Sequence, residues 1–242
     1  MNALAVILAR AGSKGFPDKN KRPVAGQPCL AWTIEHAMNS PSLDRVLLST
    51  DSNEMAQIGR HLGVEVVTRP YEFAHDTATV DAAARHAVTS IIGNHEQVVI
   101  LYGNVPVRPD DLTERALKLL VDTGCDSVQS VCPVGKHHPY WMKSLEGPDG
   151  DQLQPYLAND VYRRQDLPPV YQLDGGVIAV TRDSLFRIEA EDRHAFLGFD
   201  RRAVVTQPGE VVDIDEPVDL LVAEATLKLR AQADEDQRHA AG

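Results

Sequence analysis

The chain has 242 residues, with 24 Lys and Arg against 35 Asp and Glu, a formal charge of −11. That length can bury a sizeable core and suits a single α/β domain over residues 1–242, while the acidity excludes a protein that coats nucleic acid through a basic face. No apolar run approaches the roughly 20 residues of a bilayer span, and the three scattered cysteines fit reduced thiols in a cytoplasmic protein better than a disulfide framework.

In chain order, Ala3–Leu8 is aliphatic on both faces, as expected of a strand buried between helix layers and not of a signal peptide. Pro28 opens a helix running to about Met38, with Leu30, Ile34 and Ala37 on one stripe. Arg45–Ser49 is the next strand. Asp51-Ser52-Asn53-Glu54 has the pattern of a capping box for a helix that Gly63 ends. Val64–Val67 is the third strand, and Asp76 or Thr77 is the expected cap of an Ala-rich helix reaching about Ile92. Val98–Tyr102 is followed by a polar turn, a helix from about Pro109 to Val121 and a strand at Ser127–Val131. This alternation specifies an α/β fold with a Rossmann-like, mostly parallel sheet and helices on both faces.

Between about Pro133 and Leu173 the rhythm fails among prolines, glycines and charges. A structureless loop of roughly 40 residues is uncommon in a compact domain, so the segment is read as an excursion, a lid or an oligomer arm. Strands resume at Gly176–Val180 and Ala203–Thr206. Pro217–Ala231 is the last helix, and Asp234–Gly242 is expected to fray.

The segment after the first strand carries the clearest chemistry. From Arg10 to Arg22 there are five basic residues and one acid, with Gly12 and Gly15 between them. Flexible glycines let backbone N–H groups converge on an anion that the cations neutralise, and a triphosphate is the natural ligand. The segment is neither a Walker A loop nor a GxGxxG dinucleotide loop. Near the other end, Asp213-Ile214-Asp215 precedes a helix. Extended alternation puts the two carboxylates on one side, where they would hold Mg²⁺ facing a triphosphate. The same pattern also suits Asp215 as a helix N-cap and Asp213 as a surface acid. No GxSxG elbow or HExxH motif occurs, and His137-His138 lacks a suitably spaced third ligand for a metal.

Ala9-Arg10-Ala11-Gly12-Ser13-Lys14-Gly15 with Lys19-Asn20 is similar to the signature of cytidylyltransferases that activate acidic sugars, above all the CMP-sialic acid synthetases (acylneuraminate cytidylyltransferases). The resemblance continues through Leu48–Asp51, Arg69-Pro70, Asp76–Thr79, Arg164–Pro169 and Asp213–Leu220. It implies a nucleotide-diphospho-sugar transferase fold, a homodimer with no nucleic-acid or membrane partner, and transfer of CMP from CTP to an acidic 2-keto-3-deoxy sugar. Arg10, Ser13, Lys14 and Lys19 would cradle the triphosphate, and Asn20, Arg69 and Thr79 would contact cytidine. Asp213 and Asp215 would hold Mg²⁺.

The excursion, taken as residues 136–173, would form a dimerisation and sugar-site arm. Arg164, with Gln165 beside it, would meet the sugar carboxylate. Three positions, Tyr102, Asn104 and Asp174, depart from the family. Tyr102 stands where relatives carry a base-reading Gln, and Asn104 stands where enzymes for 3-deoxy-manno-octulosonate (Kdo) carry a metal-binding Asp. Asp174 is either a ligand to a sugar hydroxyl or amide, or a turn residue before Gly175. Activation of Kdo or another sugar, and nucleotide binding without catalysis, are the alternative functions.

Overall fold

The computed structural model describes residues 2–12 and 15–240. Every residue of β1 (Ala3–Leu8) is buried, because the strand lies inside the sheet with a helix layer on each face. Its side chains alternate between two cores. Ala3, Ala5 and Ile7 join one cluster, and Leu4, Val6 and Leu8 join the other. A short hairpin, β2 (Pro23–Val24) and β3 (Gln27–Pro28), follows the basic segment and leads into α1 (Cys29–Met38).

The next units are β4 (Arg45–Thr50), α2 (Asn53–His61), β5 (Glu65–Thr68), α3 (Val80–Thr89), β6 (Gln97–Tyr102), α4 (Leu112–Thr123) and β7 (Ser127–Pro133). Then come β8 (Lys143–Glu146), β9 (Gln152–Pro155), β10 (Tyr171–Thr181), the short α5 (Arg182–Leu185), β11 (Arg201–Val205) and α6 (Pro217–Ala240). The main sheet has seven strands in the order β11-β7-β10-β6-β1-β4-β5. All neighbours pair parallel except β10, which is antiparallel to both β6 and β7. Leu30 and Ile34 of α1, Met55 of α2 and Leu117 of α4 cover one face, while Ala84 and Ala87 of α3 cover the other. A third cluster pins the basic segment to α6 through Phe16, Val24, Ile214, Ala223 and Leu227.

The helix starts show where local signals yielded to tertiary ones. Ser52, not Asp51, caps α2 by accepting from Met55 N at 3.3 Å. Asp51 instead accepts from Ala11 N at 2.7 Å. The cap of α3 is Thr79, which accepts from Ala82 N at 3.4 Å, and the helix ends at Thr89 instead of Ile92. The last helix runs on to Ala240, so the expected fraying from Asp234 is replaced by helix; no Gly or Pro stops it there. The excursion is built of 3-10 turns and the β8–β9 hairpin, whose five-residue loop contains Gly147-Pro148-Asp149-Gly150. Its return strand is longer than expected, because Tyr171–Leu173 already pair with Val131–Pro133 of β7. Among the described residues, no helix is long and apolar enough to cross a membrane.

Candidate active site

The site lies where strands β1, β4 and β6 end, at the carboxyl edge of the parallel sheet, where open α/β folds bind ligands. Ala9 N, donating to Ser49 O at 3.1 Å, prolongs the β1–β4 pairing before the chain turns away at Gly12, whose φ of +73° an L side chain rarely adopts. Asn20 folds back to donate to Arg10 O at 3.2 Å, and its own side-chain carbonyl is buried without a partner among the described residues. Phe16 is buried against the third cluster, with the Arg22 guanidinium 4.3 Å from its ring centre. The segment is thus anchored at both ends.

A cleft of about 550 Å³ opens beside it. Arg10, Lys19, Asn20, Arg69, Thr79, Asn104 and Asp215 all line this cleft, so the structure brings together residues spread over most of the chain. Phe73 and His75 complete one wall; sequence reasoning passed over them because they sit in a loop with no local motif. Arg69 is only 5% exposed and donates through Nε to Ser49 Oγ at 3.0 Å and through Nη2 to Ser49 O at 2.6 Å. Burial pulls its guanidinium down to about 10, with Asp51 opposing the shift. Ser13 and Lys14, both expected at the triphosphate, lie outside the described residues.

Opposite the basic segment is the strip Val212–Ile214, tied to the turn after β6. Val212 N donates to Val107 O at 3.2 Å, and Ile214 N donates to Asn104 O at 2.9 Å. Val212 and Ile214 point into the third cluster, which turns Asp213 and Asp215 the other way. Asp215 Oδ1 lies 2.5 Å from Lys19 Nζ. The N-terminal amides at α6 are met by Asp219 Oδ2, which accepts from Asp215 N at 2.9 Å and Glu216 N at 2.8 Å. The side chain of Asp215 is therefore not the helix cap. Asp213 accepts from Asn104 Nδ2, and its carboxyl is pushed up to about 6, first by burial and then by the charge of Asp215.

Asp213 lines not this cleft but a second cavity, of about 720 Å³, between the bulge of β10 and the excursion. Arg164, His137 and Asp174 face this space. Gln165, in the exposed 3-10 turn Arg164–Asp166, lines neither cavity. His138 is taken up structurally: Nδ1 accepts from Tyr140 N at 3.1 Å, leaving Nε2 to donate to Pro168 O at 3.0 Å. Asp174 accepts from Ser130 Oγ, from Thr206 Oγ1 at 2.6 Å and from Gly176 N at 2.9 Å. Those three donors hold the bulge, which favours the structural reading of this residue over the sugar-ligand one.

No set of three or more His, Cys, Asp or Glu side chains that could hold a metal occurs among the described residues. Asp213, raised first by burial and then by the charge of Asp215, and Asp215 itself nevertheless offer the hard carboxylate oxygens that suit Mg²⁺ shared with substrate phosphates.

The fold and this cleft define an α/β protein with Arg10, Lys19 and Arg69 gathered in one cleft at the carboxyl edge of its sheet. A family model described as cytidylyltransferase matches residues 4–195, ending before the two carboxylates. The chain belongs to the cytidylyltransferase family. It is 29% identical over 240 residues to the CMP-N,N'-diacetyllegionaminic acid synthase of Legionella pneumophila, covering 96% of this chain and 99% of that protein. It is 31% identical over 189 residues to an N-acylneuraminate cytidylyltransferase of Streptococcus agalactiae, covering 77% of this chain but 45% of the relative. The chain thus matches nearly the whole of the first relative and under half of the second. Among solved structures, a CMP:2-keto-3-deoxy-manno-octonic acid synthetase complexed with CTP superposes with a TM-score of 0.71 at 16% identity, covering 94% of this chain and 99% of that one. The 4-diphosphocytidyl-2C-methyl-D-erythritol synthase of Anaerococcus prevotii superposes with a TM-score of 0.61, also at 16% identity, covering 93% and 98%. At that identity the two structures establish the shared fold.

Proposed function

We propose that this protein transfers CMP from CTP to the anomeric hydroxyl of an acidic 2-keto-3-deoxy sugar of the nonulosonic class, releasing pyrophosphate. The carrying observation is the approach of Lys19 to Asp215, 2.5 Å apart, in a cleft also lined by the buried Arg69 and the exposed Thr79. Cationic and carboxylate ends of the chain meet where a triphosphate and its counter-ion would lie. The family membership and the near full-length match to a legionaminic acid synthase support the same reading.

In this reading Arg10, Ser13, Lys14 and Lys19 bind the phosphates, and Asn20, Arg69 and Thr79 hold the cytidine. The sugar enters from the second cavity, which Asp213 and Arg164 both line, and Arg164 would meet its carboxylate as a bidentate donor. The new bond from sugar oxygen to the α-phosphorus forms as the bond to pyrophosphate breaks, and the hydroxyl proton is released to solvent. Negative charge grows on phosphate oxygens, so the protein acts mainly by alignment and neutralisation. Asp213 and Asp215 would hold Mg²⁺, which when bound supplies further charge neutralisation.

The excursion exposes Leu145, Leu153, Tyr156, Leu157 and Tyr162, an apolar and aromatic composition suited to pairing with a second copy. A homodimer is therefore part of the proposal, with light scattering in solution as its check. Three free, buried cysteines suit the reducing cytoplasm.

The experiment is pyrophosphate release from CTP, UTP, GTP and ATP, each with N-acetylneuraminate, a legionaminate derivative and Kdo. Release with CTP and a nonulosonic acid is the expected result. CTP binding with no release for any sugar would instead leave a nucleotide-binding relative without catalysis.

A further inference from the structure

Arg108 is 4% exposed, and among the described residues no carboxylate forms an ion pair with it. Buried charges ordinarily find an opposite charge. This guanidinium is satisfied by neutral oxygens instead. Nε donates to Gly176 O at 2.6 Å, Nη2 donates to Tyr102 O at 2.9 Å, and Nη1 donates to Val105 O and to Thr33 Oγ1 at 2.9 Å. The Thr33 hydroxyl lies 3.2 Å from Tyr102 O and 3.0 Å from Val105 O, bracing the same carbonyls from α1.

These carbonyls belong to the two segments that bracket Asp213. Tyr102–Val105 is the turn that presents Asn104, whose side chain donates to Asp213 and, at 3.2 Å, to Ile214 O. Gly176 belongs to the β10 bulge. There Gly175, at a φ of +76°, lies so near that a Cβ would meet Asp213 Oδ2 at 3.3 Å. One planar fork therefore joins the turn on one side of Asp213 to the bulge on the other. A fixed array of donors can impose that spacing; an apolar side chain could fill the same space without ordering a single carbonyl.

We propose that Arg108 is a positioning residue that fixes the Asp213 carboxylate by tying the Tyr102–Val105 turn to the β10 bulge. This inference rests on the reading of Asp213 as part of a nucleotide and Mg²⁺ site. It differs from a general role in stability because it predicts a loss concentrated in the cation-dependent part of binding.

The test is calorimetric titration of CTP into the full chain, with Mg²⁺ and separately with a chelator, for the native protein, Arg108→Lys and Thr33→Val. Thermal unfolding of each is measured alongside. Arg108→Lys keeps the charge and loses the fork, so CTP affinity in Mg²⁺ should fall about 10- to 100-fold, the range for groups that orient a metal ligand. Affinity in chelator should stay within about twofold, because the residues of this turn that line the nucleotide cleft, Tyr102 and Asn104, keep a hold of their own through the β1–β6 pairing and the bond from Ile214 N to Asn104 O. Thr33→Val should show the same pattern at about three- to tenfold, the worth of one hydrogen bond, and it decides the matter if Arg108→Lys does not fold. Equal losses with and without Mg²⁺, or unchanged binding in both conditions, would overturn the inference while leaving the nucleotide reading intact. A native protein that binds no CTP in either condition would overturn the nucleotide reading, and the inference with it.

Discussion

Asp213→Asn should make the protein more stable above neutrality while abolishing turnover. The Asp213 carboxyl is pushed up from 3.8 to about 6, so the folded state holds its proton more tightly than the unfolded chain does. A raised carboxyl costs stability in its ionised form. The native protein should therefore lose stability as pH rises from about 4 to about 6, and the full cost persists above that. At 1.36 kcal/mol per pKa unit the shift corresponds to a ceiling of about 3 kcal/mol. Partial exposure screens it, leaving about 1–2 kcal/mol. Asn keeps the shape and an acceptor for Asn104 Nδ2 but carries no charge for Asp215 to repel. For a chain of this length that gain is a rise of about 2–8 °C in the unfolding midpoint. The assay is thermal unfolding of both proteins from pH 4 to 8 in chelator, with pyrophosphate release measured in parallel. The curves should coincide near pH 4 and separate by pH 7. A gap that does not vary with pH, or a variant less stable at pH 8, would refute the reasoning.

Lys19→Met should cut single-turnover pyrophosphate release by about 10²- to 10³-fold, the cost of removing one charge-stabilising group. The midpoint of unfolding should barely move, because the lost pair with Asp215 is largely exposed on the carboxylate side; a near-native rate would remove Lys19 from the reaction. Gly103→Ala places a methyl 2.9 Å from Ala9 Cβ and 3.0 Å from Leu30 Cδ1, which should cost about 1–3 kcal/mol in urea unfolding. The same methyl would stand 3.3 Å from Asn20 Oδ1, so CTP affinity should weaken as well; an unchanged urea midpoint would show that the loop gives way freely.

The alternation of strands and helices was legible because a parallel sheet buried on both faces needs continuous apolar strands, and Ala3–Leu8 meets that need with no polar interruption. The direction of β10 was not legible. Val177–Val180 is as apolar as a parallel strand, and its reversal follows from partners on β6 and β7 that lie far away in sequence. The start of α3 was misplaced because Asp76, Thr77 and Thr79 are all competent caps. The choice fell to Thr79 once Asp76 turned to Arg10 at 2.8 Å. Within the site, charge and glycine spacing pointed to the basic segment, and the two aspartates were visible as a pair. The part played by Asp174 was not, since Ser130 and Thr206, which claim its carboxylate, carry no local sign of doing so. Arg108 was visible only as part of a motif, because a guanidinium that binds main-chain carbonyls leaves no pattern in neighbouring side chains.

The meeting of residues near position 10 with residues near position 215 has a bearing on biosynthesis. At translation rates of about 5–20 residues per second, Asp213 is made about 10–40 s after Arg10. A nascent chain that has already paired β1 with β4 and β6 lacks both the opposing aspartates and the Ile214, Ala223 and Leu227 side chains that pack with Phe16 of the basic segment. Arg108 and Asn104 wait with it for the strip that carries Asp213. The growing polypeptide thus lacks the part of its cleft formed by Asp215 and Glu216 until its last tenth or so is made, and a ribosome-bound chain or a C-terminally clipped product is without both aspartates.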